Sequence, residues 1–389
     1  MMTCRAVTLG AGALASSNVP TALTATSDES QATNQPRVTV SFITDRNQLA
    51  KGDDALFGSD FPGEGSARIV SGTIDVVQTA AGWMHIPSTL KPKGFADRSA
   101  NLSQLNNSIE TGDAATRIVD DFLDARSDDS TTRIAASRKI FFIHGYRNTF
   151  LASVRSAAQL AHEHGTADIL CFSWPTEDKI FGYWHDQANA PGAGVDLAPF
   201  LGRLLMLLNR ASANRPQVDL IAHSMGAQVL THAVQSISHA KNDLLDVKLL
   251  RYVVLCAADE RYTALSEKTV LEHLPKISDT VTIYTNASDG ALFFSYNFIH
   301  HIARLGAFGP DVLAKNVYWV DCTDLIASEG DAVSHSYFLN SSGVRNDLGQ
   351  VLMGVEPGEI VPRSRVGQTN KYILPFDLKT PYARSRGVV

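Results

Sequence analysis

Val218-Asp219-Leu220-Ile221-Ala222-His223-Ser224-Met225-Gly226 joins a short apolar run to an amphipathic one, and its reading decides the fold. The run Val218 to Ile221 has the length and apolar character of a buried strand. Beyond the turn, Gly226, Val229, Leu230, Ala233, Val234 and Ile237 recur at three- and four-residue intervals, the spacing of one helix face. A serine at the tip of such a strand-to-helix turn is held on a strained backbone. Its hydroxyl projects from the sheet edge and the helix N-terminus lies behind it. Ala222 and Gly226, two positions either side, let strand and helix approach closely, so the pattern is G-x-S-x-G with one small-for-small change. Ser224 is therefore the candidate nucleophile.

Working outward, the chain alternates strictly between strands and helices from Arg138 on. Strands are expected at Ile140–Ile143, Ile169–Phe172, the serine stretch, Tyr252–Cys256, Val281–Tyr284 and Val317–Val320. Helices are expected around Leu151–Ala161, Leu197–Leu208, after Ser224, Ala264–Leu274 and Leu292–Leu305. Apolar strands separated by helices imply a mostly parallel, doubly wound α/β sheet covered on both faces, with its site on the loops at the strand C-terminal ends. Residues 36–137 read as an N-terminal β-rich portion. Val38, Val40 and Phe42 alternate with polar neighbours, Ile69 to Val77 is extended, and a helix lies around Ala114 to Ala125, with no chemistry visible. Residues 138–340 form the core and 341–389 a C-terminal extension with little periodicity beyond Leu348 to Val355.

A serine hydroxyl needs a base within hydrogen-bond reach, and the base needs an orienting carboxylate. In this fold the order along the chain is serine, acid, histidine. Of the twelve histidines, His335 follows the last expected strand in a polar loop, Gly330 to Tyr337, whereas His300 and His301 fall in a helical stretch between strands. Two acids stand at strand C-terminal ends, Asp289 in Asn286-Ala287-Ser288-Asp289-Gly290 and Asp259 after Ala257-Ala258, and spacing alone does not separate them. Asp289 is favoured because the fold takes its acid from the strand nearer the histidine, with Asp259 as the alternative; helix N-capping is the ordinary role of either. An oxyanion would be met by the N–H of Met225, the residue after the serine, and by that of Tyr146 in the loop His144-Gly145-Tyr146-Arg147-Asn148. His144 itself is expected to hold that loop rather than serve as a base. Phe181, Tyr183 and Trp184 lie in a long aromatic connection between Trp174 and Val195, which reads either as an apolar wall over Ser224 or as a packed surface loop.

Composition removes other classes. With 389 residues, 44% hydrophobic, the chain is long enough for one large α/β domain. A net charge of −6 with no Lys/Arg-rich stretch gives no nucleic-acid signature. The nearest approach to a charge block, Asp120 to Asp129, reads as a solvated connector. The four cysteines are widely spaced, with neither a disulfide framework nor a zinc spacing, and read as small buried hydrophobes. His162-Glu163-His164 fails as a metal site because side chains two residues apart on a helix diverge by about 200°. No run of 18 apolar residues suggests a membrane span. Residues 1–35 read as a tail or a weak signal-like segment, with Arg5 before Ala6 to Ala15, which leaves a cytoplasmic and an exported location both open. Gly10 to Ala15 and Pro191 to Asp196 each imitate a nucleotide-binding loop but lack its context, so no cofactor is expected.

Three blocks carry a resemblance. His144-Gly145-Tyr146 with Asn148 and Phe150, then Phe172-Ser173-Trp174-Pro175, then Ala222 to Gly226 together resemble a bacterial α/β-hydrolase family of largely unassigned function. Thr44-Asp45-Arg46-Asn47, Asn286 to Leu292 and Ser334 to Phe338 are also similar to blocks of that family, so the resemblance runs over about residues 36–340. It implies an α/β-hydrolase fold with Ser224, Asp289 and His335 as triad; one departure is Val333-Ser334-His335, where the family has a glycine before the histidine. The expected function is a lipase-like serine esterase that cleaves a small-molecule carboxylic ester or thioester. The alternative is a non-catalytic hydrolase scaffold binding a lipid or protein partner. Oligomeric state is not legible.

Overall fold

The computed structural model describes residues 35–50, 55–64, 66, 68–98, 101–124, 138–166, 168–211, 216–330 and 334–375. Cys4, the Gly10–Ala15 stretch, the signal-like segment, Ala125 to Asp129, Val333 and the end of the tail lie outside these residues.

The six expected strands form as β4 (Arg138–Ile143), β5 (Asp168–Ser173), β6 (Gln217–His223), β7 (Leu250–Cys256), β8 (Ser278–Thr285) and β9 (Val317–Asp321), all mutually parallel where they pair. The sheet is larger than the core reading implies. β1 (Arg37–Thr44) pairs in parallel with β5, and β2 (Ile69–Thr79) and β3 (Gly82–Ala96) continue it as an antiparallel meander. At the other edge β11 (Lys371–Ile373) pairs with β9 and β10 (Ser364–Arg365) with β11. The order is β10-β11-β9-β8-β7-β6-β4-β5-β1-β2-β3, so the N-terminal β-rich portion and the extension both belong to one sheet.

Side chains of the central strands split between two cores because successive residues face opposite sides of a sheet. Phe141 and Ile143 of β4 pack with helices α4 (Tyr183–Arg210) and α5 (Gly226–Lys241), joined by α1 (Leu102–Glu110) and α2 (Arg117–Asp124). Ile140 and Phe142 pack on the other face with α3 (Phe150–Glu163) and helix Ser342–Met353. α5 buries Val229, Leu230, Ala233, Val234 and Ile237, the stripe read from sequence, and each large aliphatic removed from water there stabilises by about 1.5–3 kcal/mol. The chain leaves β4 toward one face through α3 and leaves the adjacent β6 toward the other through α5. The crevice between these two strand ends is the topological switch point where such sheets place their sites.

Several helix expectations change. α4 begins at Tyr183, inside the expected aromatic connection, and runs for 28 residues through Pro191 and Pro199. Interior proline costs about 3 kcal/mol and glycine about 1, which tertiary burial of an apolar helix outweighs. α4 lacks an unbroken apolar run yet is long and apolar enough to cross a membrane by length and composition, and 78% of its apolar window is buried inside the fold. Ala264–Leu274 is not a continuous helix. Thr269 Oγ1 bonds the carbonyls of Ala264 and Ser266, Lys268 has φ +68°, and only short turns at Val270–His273 and Leu274–Ile277 follow. Leu292–Leu305 breaks into helix Gly290–Phe294, a wide turn to His300, and a second turn at Leu305–Phe308, with His301 left-handed at φ +53°. Asp120 to Asp124 belong to α2 rather than to a solvated connector. Phe122 is buried, and Asp120 pairs with Arg203 at 2.6 Å. Cys171, Cys256 and Cys322 are free and buried.

Candidate active site

Ser224 sits at φ +54°, a left-handed conformation that only a tightly determined turn imposes on a residue with a Cβ. The turn is tied on both sides: Ser224 N–H donates to Cys256 O at 2.9 Å, and Asp259 N–H donates to Ser224 O at 3.0 Å. Two glycines permit the packing around it. A Cβ on Gly226 would lie 2.5 Å from His144 O, so the start of α5 reaches the end of β4 only without one. A Cβ on Gly145 would lie 2.6 Å from Ser224 Cβ, which sets the loop after β4 directly against the serine side chain. Met225 is the N-cap residue of α5 and is fully buried.

The structure brings Ser224, His335 and Asp289 together. His335 Nε2 is 2.6 Å from Ser224 Oγ, and His335 Nδ1 is 2.9 and 2.8 Å from the two oxygens of Asp289. A carboxylate only accepts, so Nδ1 carries the proton and Nε2 is left to accept from the serine hydroxyl. Asp289 is 1% exposed and also caps helix Gly290–Phe294, accepting from the N–H groups of Ala291 and Leu292 at 3.0 Å each. The capping role and the histidine contact are thus held by the same carboxylate. Burial works against charging His335, but the Asp289 charge and hydrogen bond, with the Asp259 charge behind them, raise its pKa above the ordinary value.

Asp259 is engaged otherwise. Oδ1 accepts from Arg304 Nε and from Ser295 Oγ, each at 2.7 Å, and Oδ2 accepts from Tyr183 Oη at 2.5 Å. The Arg304–Asp259 pair is 2% exposed on both sides. Tyr183, read from sequence as part of either an apolar wall or a packed surface loop, is buried and spends its hydroxyl on the Asp259 carboxylate, while its ring packs on Tyr146 at 5.6 Å and Phe294 at 6.2 Å. Phe181 is 87% exposed and Trp184 58%, rings that the fold leaves to solvent. His300, at the end of the wide turn, lies 3.1 Å from Tyr183 Oη.

His144 accepts the Trp174 N–H on Nε2 at 3.0 Å and donates from Nδ1 to Gly145 O at 2.7 Å, with Trp174 stacked on its ring at 5.5 Å. Burial and the Arg46 charge push its pKa down to about 3, so it is a neutral strut of the loop carrying Tyr146. The sequence reading assigned no role to two residues that hold the histidine loop. His223 Nε2 donates to His335 O at 3.1 Å, and its pKa lies well below the ordinary value through burial and the His335 charge. Asn286 Nδ2 donates to Ser334 O at 3.2 Å. Both stand in quoted blocks, one beside the serine and one at the end of β8. Their pairing across the sheet leaves no local periodicity to read. Among the described residues no group of three or more His, Cys, Asp or Glu side chains is arranged to hold a metal ion.

Residues 125–354, more than half of the chain, match the family described as alpha/beta hydrolase of unknown function (DUF900). No curated protein matches. Among solved structures, phospholipase PlaB from Legionella pneumophila in complex with thio-NAD is similar at 12% identity with a TM-score of 0.24. The similarity covers 52% of this chain and 41% of that one, so it spans about two fifths of the neighbour's length.

Proposed function

The chain belongs to the DUF900 family of α/β-hydrolases, and from that premise we propose that it is a serine hydrolase that cleaves a carboxylic ester or thioester through an acyl-enzyme. The observation that carries the reading is the pair of contacts on one imidazole, Nε2 on Ser224 Oγ at 2.6 Å and Nδ1 on both oxygens of Asp289. Ser224 Oγ attacks the substrate carbonyl carbon while its proton passes to His335 Nε2. Asp289 holds the Nδ1–H tautomer and stabilises the imidazolium that forms. The carbonyl oxygen becomes an oxyanion met by the N–H groups of Tyr146 and Met225, each worth roughly 3 kcal/mol in the transition state. Collapse breaks the bond to the leaving alkoxide or thiolate, which takes the proton from His335. Water, deprotonated by the same nitrogen, then releases the acid and restores the serine. The partner is a small-molecule ester or acyl substrate.

The test is incubation with a fluorophosphonate followed by peptide mapping, beside turnover of p-nitrophenyl esters of graded chain length. A single adduct on Ser224 with measurable turnover is expected. No adduct in a folded sample, or one elsewhere, removes the mechanism and leaves the scaffold that binds without turnover.

The pH dependence has a definite sign. The base works as neutral imidazole, whose fraction grows as pH rises through the folded pKa. Because Asp289 and Asp259 together raise that pKa over the effect of burial, the rising limb of kcat/KM is expected above about 6.5, the ordinary histidine value. A midpoint below that value, measured on a substrate with no titrating group, contradicts His335 as the base.

A further inference from the structure

The block Thr44-Asp45-Arg46-Asn47 belongs to the N-terminal portion in which the sequence shows no chemistry, and it lies outside the residues that match the hydrolase family. β1 nevertheless runs parallel to β5, so its C-terminal end opens on the same sheet edge as Ser224. Arg46 is 1% exposed there. Its Nε donates to Ser173 Oγ at 3.1 Å and its Nη1 to the carbonyls of Gly58 and Thr176 at 3.0 and 3.1 Å. Nη2 donates to Asn148 O at 2.5 Å and Thr176 Oγ1 at 3.2 Å. One guanidinium therefore joins the segments that follow β1, β4 and β5.

The segment after β4 is the one packed on Ser224. A peptide group is planar, with C=O and N–H on opposite sides, so fixing the Gly145 carbonyl fixes the direction of the Tyr146 N–H. Two donors hold that carbonyl, His144 Nδ1 at 2.7 Å and Asn148 Nδ2 at 3.2 Å, and Asn148 Nδ2 also reaches Tyr146 O at 3.0 Å. Arg46 governs both donors. It binds the backbone carbonyl of Asn148, and its Nη2, which can only donate, lies 3.4 Å from His144 Nε2, the nitrogen that already accepts the Trp174 N–H. With donors facing Nε2, the ring proton stays on Nδ1, the nitrogen that grips Gly145.

We infer that Arg46 is a positioning residue for the oxyanion-binding N–H of Tyr146, so that the N-terminal β-strand supplies a working part of the site. The inference rests on the serine-hydrolase reading for its kinetic consequence, but the loop geometry it invokes can be measured without turnover.

The experiment compares the full chain with Arg46→Ala, Arg46→Lys and Asn148→Ala. Arg46→Ala is expected to lower kcat about 10²–10³-fold, the effect of losing one aligned oxyanion donor, with KM changed less than about threefold. The pH limb should stay in place, because His335 and Asp289 are untouched, and added methylguanidinium should restore part of the lost rate. Arg46→Lys should remain impaired, since three donors on a point cannot reproduce a planar fork of five. Amide exchange across residues 144–149 should quicken in Arg46→Ala while α5 keeps its protection. A folded Arg46→Ala with kcat within about threefold of the parent, a loss accompanied by a moved pH limb, or unchanged exchange across 144–149 overturns the inference. If Arg46→Ala does not fold, Asn148→Ala decides in its place: a kcat loss of about tenfold or more at constant KM supports it, and no loss overturns it. An unreactive Ser224 in the parent protein would instead overturn the hydrolase reading, and the exchange data would then judge Arg46 separately.

Discussion

Ser224→Ala is expected to lower kcat by about 10⁴–10⁶-fold with the fold intact. The size follows from what one hydroxyl does in the proposed mechanism: it is the attacking atom there, and no other hydroxyl is hydrogen-bonded to His335 Nε2 in the described residues. Alanine keeps the Cβ that the turn already accommodates at φ +54°, so the strain of the turn is unchanged. Thermal midpoint should therefore move by little, while fluorophosphonate labelling disappears. Steady-state turnover and a melting curve on the same preparation check both halves. Retention of more than about one hundredth of the parental rate would assign the nucleophile elsewhere.

The second large effect separates two carboxylates. Asp289→Asn leaves a neutral group beside His335 Nδ1, which lets the ring adopt the tautomer with its proton toward Ser224. By the magnitude seen for orienting acids, kcat should fall about 10⁴-fold. The Asp289 charge and hydrogen bond are what lift the His335 pKa against burial, so the residual pH limb should also slide to lower pH. Asp259→Asn should do something different. Arg304 would be left as an uncompensated charge 2% exposed, a loss of about 3–5 kcal/mol of stability. Its activity loss per folded molecule should be far smaller than that of Asp289→Asn. Urea denaturation beside active-site titration measures both quantities, and a greater loss of kcat from Asp259→Asn would exchange the two roles.

The ease of reading each element tracks how local its cause is. The six apolar strands from Ile140 to Val320 and the buried stripe of α5 follow from periodicity within a dozen residues, and they form where the pattern puts them. The start of α4 at Tyr183 was not legible, because Pro191 and Gly192 argue locally against a helix that burial across the fold sustains. The failed helix at Ala264–Leu274 is the converse case. Its apolar spacing is adequate, but Thr269 Oγ1 bonds the nearby carbonyls of Ala264 and Ser266 instead of leaving the backbone to continue. Phe181 and Trp184 could not be placed by sequence either, since an aromatic run does not say which rings the fold covers.

What the sequence determined by itself is the strand, turn and helix around Ser224 and, through blocks of residue types at short spacing, the family. What tertiary structure alone decided is which acid meets the histidine. Asp259 and Asp289 stand at equivalent strand ends, but Arg304 arrives 45 residues after the first and His335 46 residues after the second. The same holds for Arg46, which is one polar residue in a β-rich segment until β1 pairs with β5 and carries it to the serine's edge. Partnerships over such distances are set by the strand order of the sheet, and no local pattern encodes that order.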